Sequence, residues 1–206
     1  MEDENYTVGG ERVKSVEHSI LEKAKRIKMV LMDVDGTLTD GKIYILPSGE
    51  EIKAYDTKDG AAIVVAQVLG IKVGIITGKS SQNVVERAKR LKIDDVYIGA
   101  IDKLPVLKEI MEKYNLKRDE ICYIGDDIGD FSVMKEVGFA VAVGDAHYKV
   151  KEIADYITEK NGGNGAVREA FDVIFEAQNL YDRVLNIFED VKNWKKGLVD
   201  NFKKKR

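Results

Sequence analysis

The chain has 206 residues, 44% of them apolar and only two of them proline, which suffices for one well-buried domain with appendages but not for two ordinary domains. Its formal charge of −3 combines a basic stretch, Lys192 to Arg206, with an acidic body in which lysine and arginine alternate with acids; no aromatic–basic cluster precedes residue 192, which argues against a nucleic-acid face there. The apolar runs are too short for a transmembrane segment and Met1 to Gly10 lacks the pattern of a secretory signal, so a cytoplasmic protein is expected, and the single cysteine, Cys122, rules out a disulfide framework and reads as a buried thiol.

In chain order, Val13, Val16, Ile20, Ala24 and Ile27 keep a helical spacing and assign residues 1–26 to an N-terminal helical extension. A domain over residues 27–178 follows. Its core strands are expected at Lys28 to Val34, Ile71 to Ile76, Asp95 to Ile98, Ile121 to Ile124 and Phe139 to Val143, and its helices at Asp59 to Leu69, Ser81 to Leu91, Lys103 to Tyr114 and Asp127 to Val137. This alternation predicts an α/β fold with an open, mostly parallel sheet and helices on both faces. Between Gly41 and Tyr55, two short apolar runs flank Pro47-Ser48-Gly49-Glu50 and predict an inserted β-hairpin, which needs a packing surface because a lone hairpin is barely stable. Residues 179–206 carry the stripe Leu180, Val184, Ile187, Val191, Trp194, Leu198 and Phe202, a basic C-terminal helix that is expected to pack on its own protomer or a neighbour rather than on a membrane.

The first strand ends in Asp33-Val34-Asp35-Gly36-Thr37, at the edge where open α/β sheets bind ligands. Asp33 and Asp35 begin on one side of the strand, and such a pair repels unless a cation or proton lies between them. The fourth strand ends in Gly125-Asp126-Asp127-Ile128-Gly129-Asp130, which brings more acids to that edge, although Asp127 also suits capping of the next helix. Oxygen ligands without a cysteine or histidine cluster point to Mg²⁺. Thr77-Gly78-Lys79 ends the second strand and Lys103 follows the third, giving a hydroxyl, a backbone N–H and an ammonium suited to phosphoryl oxygens.

In these four motifs the chain resembles the haloacid dehalogenase superfamily of phosphotransferases, over about Lys28 to Tyr156. The resemblance implies Asp33 as nucleophile, Asp35 as general acid and base, Thr77 and Lys103 as phosphoryl-binding residues, and Mg²⁺ on Asp33, the backbone carbonyl of Asp35, and Asp126. Room for only a hairpin and a helix between Asp35 and Thr77 marks it as capless. Further matches, Leu38-Thr39-Asp40-Gly41, Asp56-Thr57-Lys58-Asp59-Gly60, Asp145-Ala146-His147 and Gly162 to Glu169, resemble the 3-deoxy-D-manno-octulosonate 8-phosphate phosphatase family as far as about Gln178.

That likeness implies a phosphorylated keto sugar acid as substrate, with a nine-carbon sialic-acid-type sugar phosphate as the alternative, and a homotetramer built around the hairpins. The Gly162–Gly165 segment would cover a neighbour's site or, read from composition alone, form a flexible loop. Implied substrate contacts are Asp35, Asp56, Lys58, Asp59, Gly60, Gly78, Lys79, Arg87, Lys103 and Arg168. Lys58 and Lys79 stand where arginines are usual and Val64 replaces another, losing the bidentate fork that suits carboxylates, while Arg87 matches. For Lys79 and Arg87 a place on a solvated helix face is the competing reading. Two other classes share part of this pattern: a phospho-acceptor receiver domain, which has no need of an acid at position 35, and a non-catalytic oligomerisation module, against which the intact acidic motifs argue.

Overall fold

The structure, a computed structural model, describes residues 7–8, 11–12 and 16–189. Thr7–Val8 (β1) pairs antiparallel with Glu11–Arg12 (β2), and the first described helix is α1, His18–Ala24. The stretch of the C-terminal stripe beyond Glu189, including Val191, Trp194, Leu198 and Phe202, lies outside the described residues.

Met29–Met32 (β3) is followed by the hairpin strands Tyr44–Ile45 (β4) and Glu51–Ile52 (β5), then by helix α2, Thr57–Val68. Next come Lys72–Thr77 (β6), α3 at Gln82–Leu91, Asp95–Ile98 (β7), α4 at Leu104–Tyr114 and Ile121–Gly125 (β8). A 3₁₀ turn and the one-turn helix α5, Phe131–Met134, replace the long helix expected over 127–137. Phe139–Ala142 (β9), α6 at Tyr148–Lys151, Tyr156–Ile157 (β10), α7 at Ala166–Ala177 and α8 at Tyr181–Glu189 complete the described chain.

Six strands form one parallel sheet in the order β10-β9-β8-β3-β6-β7. The chain moves outward from β3 through β6 to β7, then returns to β8 on the other side of β3. That reversal makes a crevice beside the carboxyl end of β3, the place where open sheets of this type take ligands. Successive crossovers in opposite directions put helices on opposite faces; α2 packs with α3 and α7, and α4 with α5. The central strands are apolar throughout because both faces are covered, and Met29, Val30, Leu31 and Met32 are all fully buried. Cys122 is buried on β8 as expected, its thiol pushed up by burial.

Two packing details bear on the site. Asp56 caps α2, accepting from the N–H groups of Lys58 at 2.6 Å and Asp59 at 3.1 Å. Asp59, almost fully buried in the first turn of α2, accepts from the backbone N–H of Arg168 at 2.8 Å and so fastens the start of α7 to α2.

The glycine-rich segment is seated on its own chain. Gly163 N–H donates to the carbonyl of Thr37 at 3.0 Å and Gly162 N–H to Asp145 at 2.9 Å. A Cβ on Gly162 would lie 1.7 Å from the Gly36 carbonyl oxygen, which leaves glycine as the residue that fits. The flexible loop read from composition is thus a backbone-on-backbone contact with the loop after β3. Gly162→Ala is expected to lower stability by about 1–3 kcal/mol through overpacking. Gly129→Ala, with open space around its Cβ position, should change it by less than ~0.5 kcal/mol; urea denaturation monitored by circular dichroism distinguishes the two.

Candidate functional site

The register of the sheet places the acidic motifs side by side. Met32 is level with Ile124 on β8 and Ile75 on β6, so Asp33, Gly125 and Ile76 share the next level, and Asp33 N–H donates to the Ile124 carbonyl at 3.1 Å. Thr77, buried, ends β6 on the other flank. After Gly36 turns with φ of 100°, Thr37 reaches across to donate its hydroxyl to Asp126 at 2.8 Å. A side chain on Gly36 would meet the Asp126 carboxylate at 2.1 Å.

Carboxylate oxygens of Asp33, Asp126 and Asp130 all lie within 4.8 Å of one another. The charge they share is answered by Lys103, whose buried ammonium donates to Asp33 at 2.7 Å, to Asp130 at 2.6 Å and to the Tyr123 hydroxyl at 3.0 Å. Tyr123 in turn donates to Asp130 at 2.7 Å. The other Asp130 oxygen accepts from the N–H groups of Asp126 and Asp127 at 3.0 and 3.4 Å, so Asp130 is a brace whose oxygens are already engaged. Asp126 is held from below as well, its carbonyl accepting from His147 N–H at 2.7 Å.

Burial pushes the Asp33 carboxyl up to about 6, with Asp130 adding to the rise and Lys103 opposing it. Asp126 is pushed up to about 7, again by burial first, with the Thr37 hydrogen bond opposing and Asp130, Asp33 and Asp127 adding. Burial works against the charge on Lys103, but Asp33 and Asp130 outweigh it and hold its pKa above the ordinary lysine value. Crowded carboxylates that resist ionisation are what a site for a hard, oxygen-preferring cation looks like when only protein groups balance the charge. Asp33 and Asp126 fit such an ion, since neither is fully engaged.

Asp35 turns elsewhere. Its carboxylate is gripped by Lys53 at 2.6 and 2.9 Å and stands outside the trio. The remaining expected residues divide. Gly78 and Lys79 are exposed at the end of β6. Lys58 and Arg168 line an open cleft of ≈ 720 Å³ with Tyr156, Lys160 and Asn164, and the Arg168 guanidinium pairs with Asp172 at 2.7 Å. Asp56 caps α2, and Asp59 holds the Arg168 N–H through one oxygen while its other oxygen is buried without a hydrogen-bond partner among the described residues. Arg87 is a brace: it donates to the Asp56 carbonyl at 3.1 Å, lies over the Tyr55 ring at 5.2 Å, and fills the space beside Gly60. The solvated helix face considered for it is therefore replaced by an internal contact.

Sequence reasoning missed Lys53, Tyr123 and the bracing role of Asp130. Asp130 was signalled by its place in the acidic run, four residues after Asp126, while nothing local marked Lys53 or Tyr123.

A family model described as haloacid dehalogenase-like hydrolase matches residues 95–170. The 3-deoxy-D-manno-octulosonate 8-phosphate phosphatase of Escherichia coli K12 is 41% identical over 167 residues, which is 81% of this chain and 89% of that protein. The chain belongs to the 3-deoxy-D-manno-octulosonate 8-phosphate phosphatase family. Among solved structures of the family, that from Moraxella catarrhalis, in complex with magnesium ion, phosphate ion and KDO, is 41% identical with a TM-score of 0.80, covering 82% of this chain and 98% of that one. The cobalt-bound Haemophilus influenzae structure is 34% identical with a TM-score of 0.74, covering 76% and 92%. Among the described residues no cap domain is present.

The raised Asp126 carboxyl has a consequence for stability. Its folded-state value near 7, against an ordinary 3.8, means that its contribution to stability is full below about 3.8 and is lost as pH rises through about 7. In chelator, Asp126→Asn is expected to be more stable than the parent by more than ~1 kcal/mol at pH 8, the advantage shrinking as pH falls below 6; thermal denaturation from pH 4 to 8 checks this.

Proposed function

We propose that this member of the family is a Mg²⁺-dependent phosphatase of phosphorylated keto sugar acids, with 3-deoxy-D-manno-octulosonate 8-phosphate as the first candidate substrate. The observation that carries the reading is the convergence of Asp33, Asp126 and Lys103, with Asp35 beside them, at the crevice beside β3.

The groups divide the work as follows. An Asp33 carboxylate oxygen attacks phosphorus, the bond from phosphorus to the sugar oxygen breaks, and that oxygen takes a proton from Asp35. Water then attacks the phosphorus of the aspartyl phosphate, Asp35 accepts the proton, and phosphate departs as the Asp33 carboxylate is restored. Lys103 orients Asp33 through its 2.7 Å contact and offsets charge on the transferring group. Thr77 and the backbone N–H groups after it are the donors for phosphoryl oxygens. Asp33, Asp126 and the Asp35 backbone carbonyl would hold Mg²⁺, which supplies neutralisation of phosphoryl charge.

Lys58 and Arg168, both at the open cleft, are the cations available to the sugar acid, and Lys79 at the end of β6 is a third. Their compact ammonium groups at 58 and 79 leave a nine-carbon sialic-acid-type phosphate as the second substrate class. The hairpin exposes Tyr44, Ile45 and Ile52, with Ile45 72% exposed, and this apolar ribbon supports assembly with further copies of the chain, a tetramer being the form proposed.

Phosphate release from 3-deoxy-D-manno-octulosonate 8-phosphate and from the sialic-acid-type phosphate, with Mg²⁺ and with chelator, tests the reading. Turnover of the first is expected, lost on chelation and restored by Mg²⁺. Asp33→Asn is expected to abolish turnover while keeping the parent's circular dichroism spectrum. Parent-like activity in that variant, or a phosphoprotein that persists without phosphate release, would defeat the mechanism.

A further inference from the structure

Lys53 sits on a ribbon that otherwise faces outward. Tyr44, Ile45 and Ile52 of the hairpin are exposed, yet the Lys53 side chain is completely withdrawn from solvent and its ammonium meets both oxygens of Asp35, at 2.6 and 2.9 Å. Burying an ammonium is costly unless a well-placed anion compensates it, and here Asp35 is that anion. The hairpin that carries it is tied to the body where Asn83 donates from α3 to the Glu51 carbonyl. Meanwhile Asp35, only two residues from Asp33, stands outside the group formed by Asp33, Asp126 and Asp130.

We propose that Lys53 is a positioning residue for Asp35: by holding both carboxylate oxygens from the hairpin side, it keeps that side chain out of the acidic trio and aimed for exchange of a proton with the leaving oxygen and with water. The inference rests on the acid–base role given to Asp35 above. The Lys53 ammonium bonds to Asp35 and not to Asp33, Asp126 or Asp130, so it acts through Asp35. It also makes the hairpin a part of the active site, since displacing the ribbon would release Asp35.

The test compares kcat/KM at saturating Mg²⁺ for 3-deoxy-D-manno-octulosonate 8-phosphate, whose alkoxide needs a proton to leave, and p-nitrophenyl phosphate, whose phenolate does not. Lys53→Met is expected to lose ~10²-fold or more on the sugar phosphate and only several-fold on the aryl phosphate, matching Asp35→Asn in direction. Lys53→Arg should recover most of the loss, and Lys53→Met should add little in the Asp35→Asn background. If the Met variant does not fold, Lys53→Gln carries the same comparison. Equal losses on both substrates, additivity with Asp35→Asn, or parent-like activity on the sugar phosphate would overturn the proposal. Should Asp35→Asn discriminate while Lys53→Met does not, the proposal alone falls; should Asp35→Asn also fail to discriminate, the acid–base reading falls with it.

Discussion

Lys103 stands among groups that would otherwise push one another apart. Its ammonium bridges Asp33 from β3 to Asp130 beyond β8, two carboxylates that belong to different strands and that the sheet forces into one crevice. Removing a partner from such a buried set leaves an uncompensated charge, which costs far more than the pair contributes. The surrounding architecture can be seen as the means of bringing one lysine to that point: β7 ends beside β6, a short loop returns toward the crevice, and Lys103 precedes Leu104 and Pro105 at the start of α4. Tyr123 completes the arrangement, its hydroxyl accepting from Lys103 and donating to Asp130.

Close backbone approach is the second constraint. Gly36 faces Asp126, Gly125 faces Asp130 and Gly162 faces Gly36, each at a distance where a Cβ has no room. These contacts link three segments far apart in sequence, the loop after β3, the end of β8 and the loop before α7, into one layer over the carboxyl edge of the sheet. Asp145 and His147 join the same layer from the loop after β9, one through Gly162 N–H and the other through the Asp126 carbonyl. The Asp126 and Asp130 carboxylates are therefore seated directly against glycine backbone, where a larger residue would displace them.

The strands and the nucleophile motif were legible because they are local statements: apolar runs such as Met29–Met32 mark buried parallel strands, Asp33, Lys103 and Asp126 each follow one, and Thr77 ends one. What lay beyond reach was the partner each polar residue would choose. Asp56, Asp59 and Arg87 carry chemistry suited to a sugar acid, and their contacts in capping and bracing between α2, α3 and α7 had no local signal. Asp127 to Val137 has the composition of a helix, but the Asp130 carboxylate turned back to the N–H groups of Asp126 and Asp127 accompanies a 3₁₀ turn instead. Lys53 shows the same gap from the other side, since period-two alternation puts it opposite Ile52 without indicating which face turns inward.

That alternation constrains how the hairpin can change. Lys53 points into the molecule while its neighbour Ile52 remains half-exposed, and β5 is only two residues long. Sliding the ribbon by a single residue would exchange the two faces, withdrawing the cation from Asp35 and offering it an aliphatic chain. A single residue inserted between β5 and Lys53 without a compensating bulge would therefore turn the ammonium outward, whereas two would restore its direction.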